Sequence, residues 1–206
     1  MIADELIAAG RSLQRRTVAL TEEPSGETAA IWYGNRSRPD GCWLTIATRF
    51  IPSFSGDGWL SVFTDDDECV GGRTEIVPKL LPSSGTSLFA TEINVLPPVD
   101  VLYHRGPPAI RRWLGSHGYD PQWGFNDKFP GSEAVREYQS IWFRECPLYG
   151  DRVFATLGGW HLAWPDSDWA DSIDRQLIVN TFMDSEPWVE VWREPSGILT
   201  VEQRIT

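Results

Sequence analysis

What this chain of 206 residues has little of narrows its reading first. It holds three cysteines, three histidines and two methionines. Cys42, Cys69 and Cys146 are widely spaced and odd in number, and no Cys-x-x-Cys pair occurs, so neither a zinc ribbon nor a disulfide framework is encoded. They read as buried free thiols in a reducing compartment. Lysine is almost missing, with Lys79 and Lys128 standing against sixteen arginines. The formal net charge is −11, so the chain lacks the cationic excess that binding to phosphate backbones requires, which argues against a nucleic-acid partner. No apolar run approaches the length of a membrane span, and Asp4 and Glu5 interrupt the stretch where a leader would be apolar. The expectation is a soluble, cytoplasmic protein with no membrane partner. Standard catalytic signatures are missing as well: there is no P-loop, GxGxxG, GxSxG or HExxH. The acidic run Asp65 to Glu68 fails as a calcium loop, because Val70 and Ile76 fall where the turn glycine and the bidentate glutamate belong. No cofactor and no metal site is expected.

What is abundant is tryptophan, eleven in all, and five of them lie between Gly158 and the C-terminus. Between Trp160 and Glu194 eight carboxylates face two arginines, so this window carries six of the net negative charges. An aromatic excess of this kind serves either a bulky core or platforms for partner contact.

The patterning predicts one α+β domain spanning residues 1–206, a predominantly antiparallel sheet made of an N-terminal and a C-terminal meander with about three helices packed on it. Ile2, Leu6, Ala9 and Leu13 recur at helical spacing. Strand-like runs follow at Thr28 to Tyr33, Cys42 to Ile51 and Gly58 to Thr64, then at Arg73 to Val77, Ser87 to Ile93 and Val99 to His104. In the second of these, alternation assigns Cys42, Leu44 and Ile46 to one face and Trp43, Thr45 and Ala47 to a more polar one. Helices are predicted over 106–118 and from Ser132 to about Glu145. Strands return at Arg152 to His161, where Gly158 and Gly159 mark a bulge or a close approach, and at Gln176 to Met183, Pro187 to Arg193 and Ile198 to Ile205.

Two groups of residues are candidates for function. Trp188, Glu190 and Trp192 share one face of a strand and, with Trp164 and Trp169, form the candidate binding surface, provided that face is open. If it is buried, Glu190 needs a partner, for which Arg204 on the next strand is suited. The second group is His161, Asp166 and Asp168, with Asp171 close by, where a histidine and carboxylates are suited to general base chemistry. Asp168 and Asp171 also fit the capped first turn of a helix. Arg105, Arg111 and Arg112 make a basic island that suits an anion or the protein's own acids. The leading expectation is a non-catalytic interaction module, adaptor-like or immunity-like, that meets a basic protein partner through its acidic, tryptophan-rich C-terminal segment; self-association is a further option. The alternative is a hydrolase-like enzyme, carbohydrate-directed, using His161 with Asp166 or Asp168.

Overall fold

A computed structural model of the protein describes residues 3–33, 41–64, 71–80, 84–119, 131–145, 153–160, 174–181 and 188–204. They form two compact units, each assembled from discontinuous segments: Met1–Arg15, Asn94–Tyr149 and Trp160–Ile173 in one, and Arg16–Ile93, Gly150–Gly159 and Asp174–Thr206 in the other. The first is helical and the second is built on a sheet.

The sheet has ten strands. Its N-terminal meander is β2 (Thr28–Trp32), β3 (Cys42–Ala47), β4 (Trp59–Thr64) and β5 (Gly72–Val77), and its C-terminal meander is β7 (Val153–Gly158), β8 (Gln176–Thr181), β9 (Trp188–Arg193) and β10 (Leu199–Arg204). Between them run β1 (Arg15–Thr21) and β6 (Thr86–Val95), giving the order β10-β9-β8-β7-β1-β6-β2-β3-β4-β5. Pairing is antiparallel within both meanders and where β1 meets β7 and β2 meets β6. The two ends of this order come together: Gln203 Nε2 on β10 donates to the Gly71 carbonyl just before β5 at 2.5 Å, so the sheet is nearly a barrel.

Closing a sheet requires it to coil, and four bulges supply the coil. The ladders skip Ala29 in β2, Trp43 in β3, Phe154 in β7 and Ile178 in β8, and all four skipped side chains belong to the same apolar core. That core also takes Leu44, Ile46, Leu60, Leu157, Val179 and Val191. Phe154 sits 4.8 Å from the Trp32 ring and 6.2 Å from that of Trp43, centroid to centroid. The alternation read for β3 therefore fails at its bulge: Trp43 turns inward, and all six residues of the strand are buried. The expected close approach at the glycine pair is present. Gly158 and Gly159 have φ of 70° and 87°, and a Cβ on Gly159 would overlap Thr17 Oγ1.

In the helical unit, α1 (Ala3–Ser12), α2 (Val99–Arg105), α3 (Pro108–Ser116) and α4 (Ser132–Glu145) share their own core, built from Leu6, Leu102, Ile110, Leu114, Val135 and Tyr138 among others. Its aromatic polar handles are satisfied: Tyr138 donates to the Pro97 carbonyl at 2.6 Å and Trp142 Nε1 to that of Leu96 at 2.9 Å. Four helices, where about three were expected, result from one misread segment. Val99 to His104 alternates like a strand, but it is α2. Pro98, extended at ψ 164°, precedes the first turn, Asp100 complements the helix dipole there, and Val99 and Leu102 meet the core at i, i+3. Strand β1 went unread because it follows α1 after only Leu13 and Gln14, with no glycine or proline between them.

Gly10 on α1 lies against Tyr138, and an alanine Cβ there would come within 2.5 Å of its hydroxyl oxygen and 2.7 Å of its ring. Helix propensity favours alanine by about 1 kcal/mol, whereas overfilling a core costs about 1–3 kcal/mol. Gly10→Ala should therefore lose stability in urea unfolding, and a neutral or stabilised variant would contradict this contact. By the same measurement Phe154→Ala should lose about 3–5 kcal/mol through its cavity.

Candidate functional site

The sequence-predicted residues divide by where they fall. His161, Trp164, Asp166, Asp168, Trp169 and Asp171 lie outside the described residues, as do Cys69, Cys146 and the acidic run at 65–68. Trp188 opens β9 directly opposite Arg204 of β10, with only the backbone of each described. Glu190 and Trp192 are described in full, and both are interior, at 0% and 2% exposure. In this form they offer no face to a partner.

Their burial follows from β9 having two covered faces. Val189 and Val191 enter the sheet's apolar core, and the opposite face carries a polar row in register across four strands: Thr156 of β7, Asn180 of β8, Glu190 of β9 and Glu202 of β10. Thr156 and Asn180 are as buried as Glu190. Two carboxylates placed directly opposite each other repel, so the row needs donors and a cation. Trp192 Nε1 donates to Glu190 Oε2 at 3.1 Å. Arg175, just before β8, pairs with Glu202, reaches Glu194 at 3.7 Å, and sets its guanidinium 4.8 Å from the Trp192 ring centre. One arginine thus links the two outer carboxylates to the indole that holds the inner one. Asn180 Oδ1 is buried and finds no partner among the described residues.

A second titratable cluster, in the helical unit, was not anticipated. Asp100 accepts a hydrogen bond from the Tyr119 hydroxyl, and His104 lies one turn along α2. Burial raises the Asp100 carboxyl above its ordinary range and outweighs the Tyr119 bond. His104 is pushed down, first by burial and then by Arg111 and Arg105, against the pull of Asp100. The i, i+4 spacing was visible in sequence, but as a strand the segment would have placed those two side chains differently. Buried Cys42 is a free thiol whose Sγ lies 3.3 Å from Thr45 Oγ1. His117 caps α3, with Nδ1 2.8 Å from the Trp113 carbonyl oxygen.

Among the described residues no group of three or more histidine, cysteine or acidic side chains is placed to hold a metal ion, and no helix is long and apolar enough to cross a membrane. The chain matches no protein-family model, no curated protein and no solved structure.

Because the native state holds the Asp100 proton more tightly than the unfolded chain, this residue's contribution to stability falls as pH rises from 3.8 through its folded value. His104 acts in the other direction, its contribution being lost as pH falls through 6.5. Asp100→Asn keeps an acceptor for Tyr119 without the charge. Its stability relative to wild type should therefore shift in its favour between pH 3 and pH 7 in denaturant titrations, and a pH-independent difference would refute the assignment. Trp192→Phe, which leaves Glu190 without its indole donor, should cost about 1–3 kcal/mol in the same titrations at neutral pH.

Proposed function

We propose that the protein is a non-catalytic interaction module whose sheet unit recognises a basic protein partner, in the manner of an adaptor or of an immunity protein that neutralises a basic toxin. The charge partition carries this reading. The sheet unit holds eighteen acidic residues against ten lysines and arginines, a net of −8, whereas the helical unit holds eleven against eight, a net of −3. Three of these cations are engaged by the unit's own acids: Arg16 with Glu92, Arg49 with Glu27, and Arg175 with Glu194 and Glu202. The surplus is exposed, at Glu22, Asp57 and Glu75 among others, and beside Glu75 stands Ile76, 57% exposed on β5. Acid around an apolar anchor suits a cationic protein surface, for which charge complementarity sets the on-rate and hot spots set affinity. The solid apolar filling of the sheet is consistent with a scaffold. A cytoplasmic setting belongs to the same proposal, in keeping with the free Cys42 thiol.

Affinity capture from the producing cells at low salt, followed by calorimetry on the purified partner, tests this reading. The partner should be basic, and affinity should fall steeply as salt approaches about 0.5 M, where screening is nearly complete over contact distances. The double reversal Glu22→Lys with Glu75→Lys should weaken binding by about tenfold or more. A captured partner that is acidic, or whose binding ignores salt and both substitutions, would refute the proposal.

A further inference from the structure

Among the described residues two large apolar side chains are exposed, Ile76 at 57% and Ile198 at 65%. They belong to the two strands that end the sheet order, Ile76 to β5 and Ile198 to the position just before β10. Those strands meet where Gln203 Nε2 donates to the Gly71 carbonyl and where a Cβ on Gly72 would come within 3.0 Å of Val201 Cγ1. Advancing along β5 thus moves the contact backwards along β10, so the two run in opposite directions. Ile76 lies four residues beyond Gly72 and Ile198 three before Val201, which carries both about 10–13 Å towards the same end. The connection from Ser53 to Gly58 touches both strands there. Arg193, paired with Leu199 beside Ile198, donates to the Ser53 carbonyl at 3.1 Å and lies 4.5 Å from the Phe54 ring centre. At the other end of the connection, a Cβ on Gly58 would lie 3.5 Å from Ile76 Cγ2. Both isoleucines therefore stand on one rim of the sheet unit. Their backbones are fixed: Ile76 pairs with buried Leu60, and the Ile198 carbonyl accepts from the Glu194 N–H at 2.8 Å.

We propose that this rim docks a short basic segment of the protein partner, with an apolar side chain of that segment seated on Ile76 and Ile198. The inference rests on the reading of the protein as a recogniser of basic proteins, and adds the place and the chemistry of the contact. Glu75, beside Ile76, and Asp57, beside Gly58, are exposed and take part in no ion pair among the described residues. The cations of the same stretch are Lys79, exposed two residues past β5, and Arg73, folded over the Phe63 ring at 3.9 Å. Free carboxylates beside exposed isoleucines suit a segment that alternates cations with an apolar anchor. A second copy of the chain fits less well, because it brings the same net charge of −11 to the contact. The apolar residues of the neighbouring connection are already spent on the fold, since Ile51 is buried and Phe50 and Phe54 pack on the core. Ile76 and Ile198 are the ones left over.

The test is NMR titration of the full chain at low salt with two synthetic peptides, Gly-Arg-Arg-Leu-Arg-Arg-Gly and its counterpart with serine in place of leucine. The leucine peptide should shift the amide signals of residues 75–77 and 197–199 and bind at least about fivefold more tightly than the serine peptide. Ile76→Ser and Ile198→Ser, both at exposed positions, should each shrink that preference to less than about twofold while leaving the serine peptide unchanged. Glu75→Lys should weaken both peptides. Unchanged urea midpoints separate lost binding from lost folding. Equal binding of the two peptides would overturn the apolar anchor while leaving recognition of basic proteins standing. Shifts confined to other parts of the chain, or no binding of either peptide, would overturn the rim as the docking point, and the captured partner then decides the broader reading separately.

Discussion

The curvature of the sheet is the constraint on which the sheet unit depends. Ten strands can bring β10 round to the start of β5 only if individual strands coil more tightly than regular pleating allows, and each bulge adds local coil. Here every bulge residue in the described ladders, from Ala29 to Ile178, also fills the interior. Geometry and packing are therefore coupled: a residue that bends its strand is also a residue that occupies the space the bend creates. Phe154 is the clearest case, because it breaks the β1–β7 register and contacts two tryptophans of the N-terminal meander.

The same coupling decides what could be read from sequence. Eight strands were legible in two meanders because alternation and turn residues are local properties. The order joining the meanders was not, since β1 and β6 are placed by long-range pairing that no local pattern encodes. Side-chain direction was legible only where the ladder is regular. Period-2 reading holds at Val189 and Val191 and fails at Trp43, because one inserted residue changes which face follows. The strand reading of Val99 to His104 failed for a different reason: over six residues, strand alternation and a buried helical turn place apolar residues almost alike. The proline pair and Asp100 favour the helix, and the core contact of Leu102 completes it.

The candidate residues show the limits of composition more sharply. Glu190 between two tryptophans suits an exposed platform or, the favoured reading, an interior pair, and the deciding quantity is whether both faces of β9 are covered. They are, so the carboxylate meets an indole N–H at 3.1 Å within a row where Arg175 balances its outer neighbours. The basic island was visible in sequence as three arginines on and before α3, but its composition was not. Arg15, ninety residues away from Arg105 in the chain, meets it at the Trp160 ring.

Charge placement ties these features together. In a protein with a net charge of −11, an arginine beside a carboxylate is the default and needs no special account. The sheet unit follows that default, spending Arg16, Arg49 and Arg175 on its own acids and leaving a surplus of exposed carboxylate. Around Trp160 two guanidiniums lie against one indole, Arg15 at 3.4 Å and Arg105 at 5.7 Å from its ring centre. Stacking holds an arginine in place without neutralising it, and an ion pair does the opposite. Arg175 combines the two: it pairs with Glu202 while its guanidinium lies 4.8 Å from the centre of the Trp192 ring, so the cation that balances the polar row is held by the same indole that donates to Glu190.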